Sequence, residues 1–433
     1  MDWLILLGTV FVLIFSGMWL SVALGATALV VYYFLGHGAQ AIIGNVAWHS
    51  IQMYPLVAVG CFILMGQIIL RSGVGEKIFR SMSPLVERLP GGLFHTNIAS
   101  CALFAAIFGS SAATAAVVGS VAIPELRGRG YDASLILGTV AAGGTLGIMI
   151  PPSAAFIIYG ALTGTSVGAL FAAGIIPGII LAVLFSFYIL IKSMITPEIA
   201  PRSEHPLPVF QAVLKLFNIW PVVVLLLVVL IPILAGWTTA TEASGLGVVG
   251  ASILGKLYGK LTIRDLVDSV KESTHTFVIL MFVVFGAMIL ANSVGLIGLP
   301  RKLIFFANNL ELSRTPIMVA IIIIYLGLGC LFDGVSFVVM TLPFVFPIVQ
   351  GLGCGAIWFG VFLTVLIEMG QLTPPVGINL FIIQAIAGKG TSLGEVVKGV
   401  WPFLLILLGM LALLMLFPEV ATFFPRLLGF DIT

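Results

Sequence analysis

The strongest constraint on this chain is a pair of adjacent prolines that occurs twice, each time inside an apolar run. Pro151 and Pro152 sit in GTLGIMIPPSAAFIIYGAL, and Pro374 and Pro375 sit in EMGQLTPPVGINLFIIQAI, 223 positions on (374 − 151). The same step carries Gly147 to Gly370 and Pro124 to Pro347, so one register joins two distant blocks. Proline has no N–H and clashes with the carbonyl four residues back. Each pair is therefore expected to break a helix and to free the carbonyls of Gly147 and Ile148, or of Gly370 and Gln371. In a bilayer, free carbonyls are tolerated only against protein or a watery cavity, and paired broken helices point to a transporter's binding site.

The composition places the chain in a membrane. Its 433 residues are 60% hydrophobic and 8% charged, against roughly 25% charged in soluble domains. About 20 residues per span leaves room for some ten spans. The net charge of +2 carries no sign of nucleic-acid binding, because the basic residues are dispersed through loops. Cys61, Cys101, Cys330 and Cys354 lie in apolar surroundings without CxxC spacing and read as small packing residues. Asp2 precedes the first apolar run and there is no basic leader region, so the first helix is expected to be retained.

The apolar pattern predicts an all-α polytopic membrane protein built as an inverted repeat, five spans plus one re-entrant hairpin in each half. The first repeat, 1–196, has spans at 3–17, 19–36 and 51–71, and an amphipathic arm at 73–90. A cytoplasmic hairpin at 95–122 follows with its tip near Gly109 to Ala112, then a broken helix at 133–162 and a span at 168–192. The hairpin is inferred because arms of about a dozen residues are too short to cross. A polar linker, 197–214, leads to the second repeat, 215–420. This has spans at 215–235, 238–258 and 273–296, an arm at 298–314 and a periplasmic hairpin at 315–348 with its tip near Asp333 to Ser336. A broken helix at 356–386, a span at 397–417 and a tail at 421–433 complete the chain. Five crossings per half make the copies face opposite ways. With the N-terminus outside, 15 of the 19 Lys and Arg fall in cytoplasmic loops, leaving Arg301, Lys302, Arg314 and Arg426 outside. The positive-inside rule selects that orientation.

No Lys or Arg lies within a predicted span core. A helix terminus supplies only about 0.3–1 kcal/mol, little against the cost of moving a carboxylate out of water. An anionic substrate thus requires a co-travelling cation, and oxygen donors gather at the breaks. Around the first are Ser110, Ser111, Thr114, Thr145, Gly147 and Ser153; around the second are Asp333, Ser336, Thr341, Gly370, Thr373 and Asn379. The small residues of GSSAATAA also suit close helix packing, and Asp333 is either a functional intramembrane acid or a helix cap. Glu368 reads equally as a cation ligand or a structural partner. Glu242 follows Thr239 by three residues, a capping box, and His275, at a span entrance, reads as solvated or backbone-bonded rather than as a proton relay. A membrane enzyme is disfavoured, since no metal cluster or Ser/His/Asp set falls at one depth. A channel remains a rival class.

The run GSSAATAAVVGSVAIPELRGRGYD, the following AAGGTLGIMIPPSAAFIIYG, the TEAS stretch, DGVSFVVMTLPFVFPI and GQLTPPVGINLFI resemble the large membrane subunit of tripartite ATP-independent periplasmic (TRAP) transporters. The resemblance runs from about residue 3 to 420. It implies an elevator-type scaffold and transport domain, with sodium-driven uptake of a small organic acid across the bacterial inner membrane. It also implies two partners, a small four-helix membrane subunit and a soluble periplasmic substrate-binding protein; no cofactor beyond the coupling sodium ions is expected. Carried onto this chain, it implies sodium ligands at Ser110, Ser111, Thr145, Gly147 and Pro151, and at Asp333, Ser336, Gly370, Thr373 and Pro374. Substrate contacts are expected at Ala112, Ser153, Gly334 and Asn379. A binding-protein-independent dicarboxylate/sodium symporter of similar architecture is the alternative, and nothing in the chain selects one organic acid.

Overall fold

The computed structural model describes residues 2–35, 41–201, 208–298, 301–302, 305, 314–330, 332–388 and 390–432. Among the described residues all regular structure is helical. The first half contains α1 (Asp2–Phe15), α2 (Leu20–Leu35), α3 (Ala41–Ile51), α4 (Tyr54–Arg71), α5 (Val74–Val86), α6 (Leu93–Phe108), α7 (Ser111–Gly128), α8 (Ala133–Met149), α9 (Ala154–Thr163) and α10 (Val167–Ile195). The second contains α11 (Val209–Phe217), α12 (Trp220–Leu234), α13 (Ala240–Leu257), α14 (Ile263–Leu296), α15 (Arg314–Gly329), α16 (Gly334–Gly351), α17 (Ala356–Leu372), α18 (Ile378–Ala387), α19 (Leu393–Leu416) and α20 (Glu419–Leu427).

The helix starts follow local chemistry. Asp132, Ser153, Ser166, Asp333 and Ser392 each accept a bond from the backbone N–H three residues on, and Thr239 and Thr262 head full capping boxes. These caps satisfy N–H groups that the first helical turn leaves open. Both prolines of each pair fall between helices, at 150–153 and 373–377. The predicted register is visible in the helix bounds. Ser111–Gly128 maps to Gly334–Gly351, and Ala133–Met149 to Ala356–Leu372, 223 positions on in both cases.

Six helical stretches among the described residues are long and apolar enough to cross a membrane, seven if α11 and α12, bent by 49°, form one. α16, expected as a hairpin arm, is among the six, whereas α6, α15, α17 and α18 are apolar but shorter. In the apolar segment of the α8–α9 stretch 83% of the residues are buried, against 33% in that of α10, which sets the broken helix at the centre. α6, α7, α10, α17, α18 and α19 all pack on α8. The α8–α19 crossing brings backbones together. A Cβ on Gly138 would lie 2.1 Å from the Gly399 carbonyl oxygen, and one on Gly399 would lie 1.9 Å from that of Ser134. Small residues permit such approach in membranes. A second group, α1–α4 with α12–α14, packs among itself and meets the first mainly through α4 and α14.

Several expectations need correction. α3 was not anticipated. α14 begins ten residues before the expected 273, because Thr262 and Asp265 cap a charged extension carrying Arg264, Asp268 and Glu272. The linker contains a 3-10 turn, Pro197–Ile199, and ends in α11, while the tail is helical in α20, which packs on α10. The carbonyl of Gly370, expected to be free, accepts the Thr373 N–H at 3.1 Å, because the last turn tightens. Most of the second arm, 299–300, 303–304 and 306–313, and linker residues 202–207 lie outside the described residues.

Candidate functional site

The two tips and two breaks converge. At the first tip Gly109 has φ +57°, and a Cβ there would lie 2.6 Å from the Pro152 carbonyl oxygen. That left-handed turn suits glycine, and the Gly109 carbonyl accepts the Ala154 N–H at 3.4 Å. One register step on from Ala154, the Gly377 N–H donates to the carbonyl of Cys330, two residues before the register mate of Gly109, at 3.0 Å. Each tip thus bonds the N-terminal end of its own downstream half-helix. Gly147 sits under the first tip, where a Cβ would be 2.5 Å from the Ser110 carbonyl oxygen. Gly370 sits under the second, where one would be 2.9 Å from the Gly329 backbone. Within the second hairpin, the Tyr325 hydroxyl donates to Thr341 Oγ1 at 2.6 Å, tying α15 to α16 on either side of the tip.

A cavity of about 380 Å³ opens between the tips. Ser110, Ser111 and Ala112 line it from the first tip, and Asp333 and Gly334 from the second. Ile148, Gln371 and Ile378 line it from the broken helices, and α4 and α14 close it with Ile63, Gln67, Thr276 and Leu280. It therefore lies between the two packing groups. Larger hollows of about 520 and 840 Å³ hold none of the residues expected in the site. Among the described residues, Asp333 is the only ionisable side chain on the cavity wall, and no Lys, Arg or His is there.

The remaining expected residues lie behind this wall. Ser153 caps α9, accepting the Phe156 N–H at 3.5 Å, and Thr145 donates to the Ala142 carbonyl at 2.6 Å. Thr373 donates to the Met369 carbonyl at 2.7 Å, and the Ser336 N–H donates to Asp333 Oδ2 at 3.0 Å. Asp333 is thus both a cap and a wall residue. Pro151 is buried and Pro374 half-buried at the breaks. Asn379 is fully buried, and neither of its amide atoms has a hydrogen-bond partner among the described residues.

Glu368, left open between two roles, receives a concrete partner. It is 1% exposed, and Ser111 Oγ donates to its Oε1 at 2.5 Å across 257 positions. Its Oε2, Thr114 Oγ1 and Gln67 Oε1 are buried without a partner among the described residues. Unpaired buried oxygens are costly and are the donors a hard monovalent cation uses. No group of three or more His, Cys, Asp or Glu capable of holding a metal occurs among the described residues. Gln67 and Thr276 were missed. They lie on uninterrupted helices, and only tertiary packing turns them towards the tips. Glu242 forms its capping box with Thr239, as expected.

An all-helical, multi-span protein with two hairpins seated on two broken helices has the build of a membrane transporter. Comparison with known proteins places it more closely: residues 7–420 match the family described as tripartite ATP-independent periplasmic transporter, DctM component, and the chain belongs to that family. It is 30% identical to a C4-dicarboxylate TRAP transporter large permease protein of Rhodobacter capsulatus, over 99% of this chain and 100% of that one. It is 29% identical to a sialic acid TRAP transporter large permease protein of Vibrio cholerae, over 91% and 90%. In fold it is similar to the Alcanivorax borkumensis YdaH transporter, with TM-score 0.65, 14% identity, and coverage of 93% of this chain and 97% of that one.

Proposed function

We propose that this large permease carries out sodium-coupled uptake of a small organic-acid anion, a carboxylate or sulfonate, delivered by a periplasmic binding protein. A small membrane subunit accompanies it in the bacterial inner membrane, with the N-terminus of this chain on the periplasmic side. The single observation that carries the proposal is the cavity between the tips, whose described residues offer one carboxylate, no basic side chain and several oxygen donors. An anion entering such a wall meets like charge from Asp333 and finds no fixed cation. Monovalent cations bound at the tips reverse that balance, and the broken-helix architecture is the usual place for them.

The packing groups suggest the motion. α8 and its neighbours, carrying both tips, shift against α4 and α14, and the cavity lies on the boundary between them. Relatives named for a C4-dicarboxylate and for sialic acid are nearly equally identical to this chain, which supports assigning substrate choice largely to the binding protein.

The test is uptake into liposomes holding both membrane subunits, with and without the binding protein, across a sodium series. Ser110→Ala and Asp333→Asn are each expected to raise the sodium concentration for half-maximal uptake, Asp333→Asn more. Unchanged sodium dependence in both sinks the ion assignment, and full uptake without the binding protein selects the independent symporter instead.

A further inference from the structure

A second polar hollow, of about 420 Å³, is built from none of the residues above. Lys77, Arg80 and Ser81 of α5 line it with Lys215 of α11, Asn218 just after, and Tyr258 at the end of α13. Its frame is fixed by the protein itself. The Lys77 ammonium donates to the Tyr258 carbonyl and lies 4.6 Å over the Tyr258 ring, while the Tyr258 hydroxyl donates to the Asn218 carbonyl. Arg80 pairs with Glu76 at 2.6 Å. The partners of Lys77 are neutral, and Lys215 makes no ion pair among the described residues. Among the described residues, three basic side chains and no acid line this space; Arg80 and Lys215 also border the neighbouring hollow of Glu76, Glu87 and Glu125, whose carboxylates pair with Arg80 and Arg129.

α11 supplies the second half of the observation. Ala212 is buried and Leu216 half-buried on the side that packs on α5. Phe210, Val213, Leu214 and Phe217, spaced i, i+3, i+4, i+7, form an outward stripe, with Phe210 74% and Phe217 72% exposed. The exposed Trp220 follows, and the apolar α12 leaves at 49°. A helix with one apolar stripe, bent off a spanning helix and flanked by an aromatic, lies in the membrane interface. Lys215 and Asn218, three residues apart, stand between stripe and hollow. A free anion would account for the cations but not for the stripe beside them.

We propose that this hollow binds the headgroup of an anionic phospholipid, with its acyl chains lying along the α11 stripe. The phosphate sits among Lys77, Arg80 and Lys215, whose aliphatic stems reach it from the interface. Because α5 joins α4 to the first hairpin, the lipid ties that link to the membrane surface. None of this depends on sodium coupling or on the substrate.

The protein, purified in neutral detergent, is titrated with dioctanoyl phosphatidylglycerol, dioctanoyl phosphatidylcholine and inorganic phosphate, and bound lipid is read by native mass spectrometry. Phosphatidylglycerol is expected to bind at least about tenfold more tightly than phosphatidylcholine, and phosphate is expected to leave it in place. Lys215→Gln, at a side chain with no ion pair to lose, weakens phosphatidylglycerol about fivefold, and Lys77→Gln with Lys215→Gln about 30-fold. Lys77→Arg with Lys215→Arg retains it, which separates lost charge from a lost fold. Phe210→Ser with Phe217→Ser weakens it without touching a charge, and Lys398→Gln leaves it unchanged. Equal affinity for the two lipids, an unaltered double glutamine variant, or displacement of the lipid by phosphate overturns the proposal.

Discussion

The two tip-and-break units share a register but not their charge. Where the first unit has Ser110 and Thr145, the second has Asp333 and Glu368 at the matching positions, so both acids belong to the later copy. They are also used differently. Asp333 is exposed on the cavity wall, whereas Glu368 is buried and reaches back to Ser111 of the first unit. The breaks differ too: Pro151, Pro152 and Ser153 are all buried, while Thr373, Pro374 and Val376 are half-buried and Pro375 is exposed. One backbone scheme occurs twice, 223 positions apart. The side chains set on it differ: hydroxyls and a buried break in the first unit, two acids and a more exposed break in the second.

The largest expected effect probes what the units share. Gly147→Val forces a side chain into the Ser110 backbone and is expected to cost about 3 kcal/mol, as overpacked cores do. Gly370→Val, with slightly more room against Gly329, is expected to cost somewhat less. Thermal unfolding in detergent measures both, and two silent substitutions would mean the tips do not rest on these glycines. The contrast between units is sharpened by Glu368→Ala against Thr145→Ala. The former strands the Ser111 hydroxyl and is expected to cost about 2 kcal/mol. The latter removes only a bond within its own helix turn and is expected to cost a few tenths of that. Equal losses would erase the distinction drawn above. The smallest pair concerns the breaks: Ser153→Ala removes the α9 cap, at about 1 kcal/mol, while Thr373→Val removes another within-helix bond and is expected to be nearly neutral. Reversal of that order in chemical denaturation would show that Thr373, not Ser153, holds its break together.

Much of this arrangement is legible in the sequence. The paired prolines located both interruptions, and their register anticipated that α16 and α17 would copy the bounds of α7 and α8. Ser110, Ser111, Ala112, Asp333 and Gly334, which the sequence pattern singles out, line one cavity. The short helices α3, α11 and α20 were less legible, since each is only nine to eleven residues long and two of them adjoin proline-bearing polar stretches. The partner of Glu368 was illegible for a different reason. A bond across 257 positions joins the two copies, and a periodicity within either copy carries no trace of it.

Helix α14 has 34 residues and α4 only 18, so at 1.5 Å per residue they measure about 51 and 27 Å. Against a hydrocarbon slab about 30 Å thick, α4 is close to a match, while the apolar part of α14 beyond its charged extension, 273–296, measures about 36 Å and overshoots by about 6 Å. The two are pinned where α4 ends and the charged extension of α14 meets its apolar part, since Arg71 and Glu272 pair there at 2.6 Å. Thinning or thickening the bilayer leaves the shorter rod little freedom, while the longer one accommodates by tilting. Lipid chain length therefore becomes a mechanical input, opening or narrowing the wedge between two struts that wall the cavity.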